Sequence, residues 1–263
     1  MTSLLNNESL VSLPTEEDLP DSDHRPLDNE LQLLVPFLLR TILSLAWGSR
    51  QDWFMGVNIG LYHTLNQAAI GPDALLSLGV ERVRPDNKLR LSYLVWQEGV
   101  MPQWVLEVVS QTPGGEYERD RTHEDTKGKL IRYAEMGILY YTIYNPHHWR
   151  RDQHDSFEVY RLVDGVYQRQ PGNPVWMPGL GLGIGTAQGT HDGYTREWLY
   201  WYDEQGNPYP APDNVIQQER QRAEQERQRA EQAELQVKQL AQRLSRLDPD
   251  YLRSLGIDPE TLD

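Results

Sequence analysis

Two stretches of the chain are predicted to form helices, and the first has the apolar spacing of an amphipathic one. The first runs from an N-cap at Asn29 to about Leu45, because apolar residues recur there at three- and four-residue intervals. Its apolar face consists of Leu31, Leu34, Phe37, Leu38 and Ile42. The second covers residues 124–136, and Gly137 is placed to end it in the left-handed conformation.

Strand-like runs fill the rest of the folded region. They cover residues 53–62, 74–78, 104–110, 139–144, 157–162 and 166–170. The first run is expected to bend at Gly56 or Gly60, and an Asp-Gly pair predicts a hairpin turn between the last two. Residues 104–110 are apolar on both faces apart from Glu107, which predicts a central position in a sheet. This order of elements predicts an α/β sandwich with a mixed central sheet flanked by helices.

The C-terminal region repeats a seven-residue unit. Gln218–Glu224 recurs as Gln225–Glu231, and the period aligns two rows of residues as the a and d positions of a heptad. The a row is Ile216, Ala223, Ala230, Val237 and Leu244, and the d row is Glu219, Glu226, Ala233, Leu240 and Leu247. Two interpretations stay open: a coiled coil over 216–247 that joins copies of the chain, or a single solvated helix held by charge pairs. Pro249 ends the helix in either case.

Composition separates the 263 residues into three regions: an acidic, flexible leader over 1–25, a folded domain over 26–210 and a helical tail over 211–263. The chain has no cysteine, which excludes disulfides, thiolate metal sites and a cysteine nucleophile. The leader lacks a basic segment followed by an apolar one, so no signal peptide is predicted. No apolar run has the length of a membrane span. We therefore expect a cytoplasmic protein.

The net charge of −14 argues against a strong electrostatic field for nucleic acid. Half of it lies in residues 1–30, which carry eight acidic and one basic side chain. The remainder of the chain is only mildly acidic, and some of its carboxylates are candidate metal ligands. Tight unaided binding to DNA is therefore not expected.

The carboxylate of Glu107 lies on a strand predicted to be buried. Such a group must be paired, hydrogen-bonded or bound to metal, because an isolated buried charge is costly. Asp73 stands at the start of another predicted strand. If the two strands are neighbours, both carboxylates can face one divalent cation, and hard oxygen ligands suit Mg²⁺ or Mn²⁺. Taken separately, Pro72-Asp73 is also typical of a turn, and Glu107 could pair with a basic residue of a neighbouring strand.

Three ordered motifs resemble a known family. They are Gly71–Leu76 followed by Tyr93–Gly99, then Pro102–Ser110, then Lys129 followed by Tyr133–Tyr141. Together they resemble the Uma2-type (DUF820) branch of the PD-(D/E)XK nucleases over about residues 26–210. The C-terminal repeat is similar to the cyanobacterial type that carries an appended coiled coil. The resemblance implies a restriction-endonuclease-like core that hydrolyses phosphodiester bonds with a metal ion, with DNA rather than RNA as the expected substrate.

By position, the resemblance implies Asp73 and Glu107 as ligands of Mg²⁺ or Mn²⁺ and Lys129 as the catalytic lysine. Glu30 matches a glutamate that many members of this nuclease fold add as a further metal ligand. The chain departs from the parent motif, since the residue two positions after Glu107 is Val109 rather than lysine. The resemblance therefore implies a lysine that has moved from the strand to the helix.

Two neighbours of Lys129 leave its assignment open. Lys127 lies two residues before it, on nearly the opposite side of the helix, and Asp125 lies one turn before it on the same face.

A different class of function also stays open. The acidic charge, the displaced lysine and the C-terminal repeat fit a weakly active or inactive nuclease-fold module that binds or assembles through its C-terminal helix.

Three other features favour structural roles. Gly179–Gly185 lacks the lysine of a phosphate-binding loop and predicts a glycine-bearing strand or bend. His147, His148 and His154 lie in a polar, arginine-containing loop typical of exposed histidines, so no zinc site is expected. The tract Trp149–Arg151 could touch a nucleic-acid backbone, although a loop charge cluster is the simpler interpretation.

Overall fold

The computed structural model describes residues 13–20, 27–65, 67–111, 115–117, 127–244, 246 and 248–256. The chain divides into two compact units, Met1–Ala211 and Pro212–Asp263. Within the described ranges, no helix has both the length and the apolar character needed to cross a membrane.

The first unit contains both helices and strands, and the described elements of the second are helices. The helices are α1 (Leu31–Ala46), α2 (Val95–Glu98), α3 (Lys129–Met136), α4 (Trp149–Asp152), α5 (Pro212–Leu244) and α6 (Pro249–Ser254), with a 3-10 helix at Glu16–Asp18. The strands are β1 (Trp53–Val57), β2 (Gly60–Tyr62), β3 (Ala74–Leu78), β4 (Ser92–Leu94), β5 (Trp104–Val108), β6 (Tyr140–Tyr144), β7 (Phe157–Val163), β8 (Val166–Gln170), β9 (Val175–Met177), β10 (Leu182–His191) and β11 (Tyr194–Tyr202).

The ends of the two predicted helices follow local rules. Asn29 Oδ1 accepts the backbone N–H groups of Leu31 at 2.9 Å and Gln32 at 3.3 Å, which caps α1. Gly137 ends α3 with a φ of 84°. Both predicted helix ends are therefore confirmed.

The main sheet has six strands in the order β1-β3-β5-β6-β7-β8. β5 and β6 are parallel, and every other neighbouring pair is antiparallel. All five residues of β5 are buried. The predicted central position of this strand and the mixed α/β architecture are confirmed.

Different layers cover the two faces of this sheet. On one face, α1 and the three-stranded sheet β11-β10-β9 form the larger apolar core. There Trp104 meets Trp201 edge to face at 4.9 Å between ring centroids, and Trp201 Nε1 donates to the Leu39 carbonyl at 3.0 Å. The other core packs around Tyr133 of α3 and Tyr141 of β6. Glu107 points to this second face, because alternate residues of a strand share a face and Val105 belongs to the second core.

Three details differ from the sequence prediction. The 53–62 run is two strands in different sheets, because Asn58 adopts a φ of 49° and interrupts it. Phe37 is 47% exposed, and α1 buries Val35 and Leu39 instead, so its apolar face is rotated from the predicted one. Helix α3 begins at Lys129, preceded by Gly128 in an extended conformation. Asp125 lies outside the described residues.

Candidate active site

Asp73 immediately precedes β3 and is 6% exposed. Its carbonyl accepts the Asn58 N–H at 3.1 Å, and its Oδ2 accepts the backbone N–H of Val108 at 2.6 Å. The second bond ties the Asp73 carboxylate to the end of β5, the strand next to β3. The carboxylate is therefore held over the neighbouring strand rather than exposed in a surface turn.

Glu107, on β5, is 2% exposed and uses both carboxylate oxygens. Oε2 accepts the Lys129 ammonium at 2.7 Å, and Oε1 accepts the Tyr133 hydroxyl at 2.6 Å. Both partners lie on α3, four residues apart, which places them one above the other on the same side of the helix. The sheet therefore supplies the carboxylates, and α3 supplies a cation and a hydroxyl donor.

The two lysines considered for this site have different surroundings. The Lys129 side chain is 22% exposed and contacts Glu107. The Lys127 side chain is 60% exposed and forms an ion pair with Glu135 on the surface. Because α3 begins at Lys129 and not before it, only the second lysine projects from the first turn of the helix toward β5.

The two buried carboxylates act on each other electrostatically. Burial and the charge of Glu107 raise the pKa of Asp73 well above its usual range, although Lys129 and the Val108 N–H oppose this. Two carboxylates and one ammonium leave the cluster with an excess negative charge when all are ionised. A further cation at this position would relieve the repulsion that raises the pKa of Asp73.

The groups on α3 stay protonated near neutral pH. Burial alone would lower the pKa of Lys129, but the charges of Glu107 and Asp73 raise it above its ordinary value. Burial, followed by the charge of Glu107, raises the pKa of Tyr133 well above that of a free tyrosine. Lys129 is therefore available as a charged donor rather than as a base, and Tyr133 as a neutral donor.

The residues present suit an ion such as Mg²⁺, which keeps several water ligands, better than an ion held entirely by protein side chains. In the described part of the chain, no three His, Cys, Asp or Glu side chains are grouped so that they could hold a metal. Mg²⁺ is commonly bound by one or two carboxylates, with water and substrate phosphate oxygens completing its coordination. Asp73 and Glu107 offer that set, since each carboxylate oxygen has a lone pair beyond the hydrogen bonds described.

Glu30 is not brought to the two buried carboxylates. It is exposed at the start of α1, and its carboxylate accepts the Tyr194 hydroxyl of β11 at 3.1 Å. The predicted third acidic ligand therefore does not join a cluster with Asp73 and Glu107 among the residues that the structure describes. The start of α1 does reach β5 through Gln32, but the Glu30 carboxylate is directed to β11 instead.

Two residues near the site had no signal in the sequence analysis. Glu116 is buried, and its charge raises the pKa values of Asp73 and Lys129, which places it close to both. It lies in an irregular glycine-containing segment without periodicity. Gln32 on α1 donates its side-chain amide to the Val108 carbonyl at 3.3 Å. Tyr133, by contrast, could have been found from its spacing, one turn after Lys129.

The glycine run and the histidines have the following surroundings in the structure. Leu182–His191 forms strand β10, so the glycine run enters a strand. His154 stacks on Tyr117 with ring centroids 3.7 Å apart, and His147 Nε2 lies 3.1 Å from Arg196 Nη2. The histidines form no grouping with other ligand-type residues that could hold a metal within the described ranges.

Comparison with known proteins gives one family and one solved structure. The sequence model of the Uma2 family, described as "putative restriction endonuclease", matches residues 25–188. A crystal structure of a "putative nuclease belonging to DUF820" from Anabaena variabilis aligns with 11% identity and a TM-score of 0.40, over 59% of this chain and 76% of that one. No curated protein matches. The family match spans more than half of the chain and contains all three motif regions, and the chain belongs to the Uma2 family.

Proposed function

We propose that this protein is a metal-dependent endonuclease that hydrolyses phosphodiester bonds, with DNA as the substrate. The observation that carries the proposal is the bond from Lys129 to Glu107, formed beside a second buried carboxylate. The family match supports nuclease chemistry in general. The metal, the DNA preference and the residue roles are inferences from this arrangement.

Asp73 and Glu107 are the proposed ligands of Mg²⁺ or Mn²⁺. An ion held by them would activate the attacking water as a Lewis acid and neutralise charge on the phosphoryl group. The Val108 N–H fixes one oxygen of Asp73, so the other is directed away from the β5 backbone. Tyr133 fixes one oxygen of Glu107 in the same manner. The two carboxylates are thus oriented before substrate binds, which limits the reorganisation needed at the moment of reaction.

Lys129 is the proposed donor to the reacting phosphate. Its ammonium has three N–H groups, and one of them reaches Glu107. The raised pKa keeps the group charged at neutral pH. It can therefore donate to a phosphate oxygen as negative charge develops there, which is where a positioned donor contributes most to the rate.

The acidic charge of the chain bears on how substrate is bound. A protein with a net charge of −14 has no general attraction for a polyanion. Binding must therefore depend on a few local contacts and on the metal. We expect cleavage to be sensitive to the ionic strength of the assay, since screening weakens each of those contacts.

Plasmid cleavage tests the proposal. Purified full-length protein is incubated with supercoiled, linear and branched DNA in Mg²⁺, in Mn²⁺ and in EDTA, and nicked or linear products are separated on gels. We expect metal-dependent cleavage that is abolished by Glu107→Ala and by Asp73→Ala. Lys129→Met should lower the rate by about 100-fold, because it removes a donor to developing charge.

Lys127→Met is the matched control, because it removes a lysine of the same segment that is paired on the surface with Glu135. Its cleavage rate should equal that of the wild type. A parallel assay on RNA tests the DNA preference. Metal-independent cleavage, or cleavage that survives Glu107→Ala and Asp73→Ala, would overturn the assignment.

A second candidate function is assembly through the C-terminal helix, and one observation favours it. Helix α5 has no buried residue, and the large apolar side chains Ile216, Val237 and Leu240 of its heptad rows are at least half exposed. Such rows are buried when two helices pair. We propose that α5 joins copies of the chain into a homo-oligomer, and that a domain boundary lies near residue 210.

Light scattering coupled to size exclusion separates the alternatives. The full chain and a chain ending at Asn207 are compared at several concentrations. A reduction in oligomeric state on truncation supports assembly through the tail. If both chains are monomers, the single solvated helix is the correct description of α5.

A further inference from the structure

A cavity lined by several cationic side chains lies beside β1, apart from the carboxylate cluster. β1 is an edge strand of the main sheet, and the cavity beside it has a volume of about 260 Å³. Five of its lining side chains are cationic: Arg40, Arg82, Arg84, Lys88 and Arg90. No aspartate or glutamate lines it within the described part of the chain. Such a concentration of positive charge is unexpected in a chain with a net charge of −14.

Three of these cations are neutralised by carboxylates from outside the cavity. Arg84 forms an ion pair with Glu16 of the 3-10 helix. Lys88 lies 3.2 Å from Glu17, and Arg90 lies 2.7 Å from Glu98. Their charge is therefore already balanced within the molecule.

Arg40 and Arg82 are not balanced in this way. Neither has a carboxylate within ion-pair distance among the residues that the structure describes. Arg82 packs over the Trp53 ring at 4.0 Å from its centroid, and its Nη2 donates to Ser44 Oγ at 3.1 Å. Its Nη1 is buried without a hydrogen-bond partner in the described structure, as is Trp53 Nε1. Arg40 and Arg82 therefore bring positive charge to the cavity that no carboxylate of the described chain balances, and an anion is the ligand that would balance it.

The positive charges of Arg40 and Arg82 also repel each other. Burial, followed by the charge of Arg40, lowers the pKa of Arg82. A guanidinium nevertheless stays protonated in proteins, so two like charges that repel each other line this cavity. An anion placed between them would remove the repulsion and accept the unused N–H groups.

We propose that this cavity binds a phosphate group, held by Arg40 and Arg82. The planar fork of arginine matches the oxygens of a tetrahedral phosphate, and the volume of the cavity admits a phosphate with part of its ester. The chemistry is common to inorganic phosphate, a nucleotide and a phosphodiester backbone.

The phosphate site is separate from the carboxylate cluster. Trp53 pairs with Leu78 at one end of β3, whereas Asp73 precedes the other end of that strand. Five residues of extended chain correspond to about 17 Å. The proposal therefore does not depend on the proposed nuclease activity and can fail or hold independently of it.

Phosphate titration of full-length protein in EDTA tests the site. Thermal unfolding is followed as sodium phosphate is added at constant ionic strength, with chloride as the balancing anion, and calorimetry gives the dissociation constant. We expect a saturable rise in Tm. Arg40→Gln and Arg82→Gln should each weaken binding at least tenfold, which corresponds to about 1.4 kcal/mol, because each removes charged donors to the anion.

Arg50→Gln is the matched control. Arg50 also stacks on a tryptophan, Trp47, at 4.2 Å, but it pairs with Asp52 and does not line the cavity. Arg50→Gln removes one positive charge from the same unit, as Arg40→Gln and Arg82→Gln do. The phosphate affinity of this control should therefore equal that of the wild type. Arg40 is exposed, so Arg40→Gln keeps the test valid even if Arg82→Gln fails to fold.

Adenosine monophosphate and a short single-stranded oligonucleotide distinguish the sources of phosphate. Equal affinity for inorganic phosphate and the nucleotide supports a site for the phosphate group alone. Tighter oligonucleotide binding that is lost in both arginine variants supports a site for a backbone phosphate. Phosphate binding that is absent, or unchanged in both variants, overturns the proposal.

Discussion

Two buried glutamates lie in one row across the main sheet, and their surroundings differ in one respect. Glu107 of β5 is opposite Ile143 of β6, which in turn is opposite Glu158 of β7. Both glutamates are 2% exposed. They share a face of the sheet, since the residues lie in register.

Their nearest partners are of the same kinds. Glu107 accepts from Lys129 and Tyr133. Glu158 accepts from Tyr160 at 2.9 Å and lies 3.3 Å from Arg169, with His154 at 3.2 Å. Each glutamate thus has one long cationic side chain and one tyrosine. A buried carboxylate with a cation and a hydroxyl donor is therefore not enough to identify a catalytic site.

The difference is the second carboxylate. Beside Glu107 lies buried Asp73, whose pKa is raised by burial and by the charge of Glu107. The acidic residue beside Glu158 is Asp155, whose side chain is 67% exposed and shares Arg169 with it. Water solvates the charge of Asp155, which leaves Glu158 paired with Arg169 in an arrangement that suits a structural role, whereas both carboxylates of the Glu107 cluster are buried and carry an excess of negative charge that a cation can satisfy.

The largest expected difference between the two glutamates is in catalysis. Glu107→Gln should lower the rate of plasmid cleavage by at least about 100-fold, because it removes a proposed metal ligand and the partner of Lys129. Glu158→Gln should leave the rate unchanged when assayed at a temperature where the variant is folded. Equal losses in the two variants would remove the distinction between the sites.

The second-largest expected effect is on stability, and here Glu158→Gln should lose more than Glu107→Gln. Glu158→Gln should reduce the free energy of unfolding by about 2 kcal/mol, because a charge-assisted hydrogen-bond network loses its acceptor. That corresponds to a fall in Tm of roughly 4–8 °C, measured by calorimetry. Glu107→Gln should cost less, since losing the bond to Lys129 is offset by relief of repulsion with Asp73. A greater loss of stability in Glu107→Gln contradicts this comparison.

The two tyrosines allow a matched test of orientation. Tyr133→Phe should lower the cleavage rate about tenfold and raise the Mn²⁺ concentration needed for half-maximal activity, because Glu107 loses the donor that orients it. Tyr160→Phe removes the equivalent donor to Glu158 and should change neither quantity. A shift in Tm without a shift in metal dependence would show that Tyr133 is only structural.

The smallest expected effect is a rise in the Tm of Asp73→Asn that depends on pH. The raised pKa of Asp73 means that the folded chain holds this proton to a higher pH than the unfolded chain does. The proton on Asp73 contributes stability that is fully present below the pKa of Asp73 in the unfolded chain. This contribution is lost as the pH rises through the raised pKa of Asp73 in the folded chain. Asp73→Asn should therefore raise Tm by about 2–4 °C at pH 8 in EDTA.

The gain from Asp73→Asn should shrink as the pH is lowered toward 4, where Asp73 becomes neutral in the wild type. Asp203→Asn is the control of opposite sign. Backbone and side-chain donation from Asn207 lowers the pKa of Asp203, so its contribution to stability is lost on acidification. It should not raise Tm at pH 8, and a pH-independent gain in Asp73→Asn would contradict the electrostatic explanation.

Local patterns in the sequence were sufficient for much of the fold. The apolar run around Glu107 predicted a central strand, and β5 is central. Asn29 and Gly137 marked the ends of helices, because capping depends on a few neighbouring residues. The Asp-Gly pair predicted the hairpin of β7 and β8, where Asp164 and Gly165 both have positive φ.

Other features required the three-dimensional arrangement. The sequence left Lys127 and Lys129 as alternatives, and the start of α3 separates them. Glu30 was expected near the carboxylates, yet its carboxylate accepts the Tyr194 hydroxyl of β11. Nothing along the chain distinguished Arg40 and Arg82 from other arginines, since their lack of carboxylate partners depends on which segments enclose the cavity.

The sequence by itself therefore determined which segments form strands and helices and which residues belong to the family motifs. The tertiary structure alone decided which charges meet. Hydrogen bonds that define the site join residues 35 and 22 positions apart, from Val108 to Asp73 and from Lys129 to Glu107. Secondary structure depends on periodicity over a few residues, whereas the energy of a charge depends on its burial and on every neighbour within a few ångströms. For that reason Glu107 and Glu158, similar in burial and partners, differ in their electrostatic surroundings through the strand that brings Asp73 beside one of them.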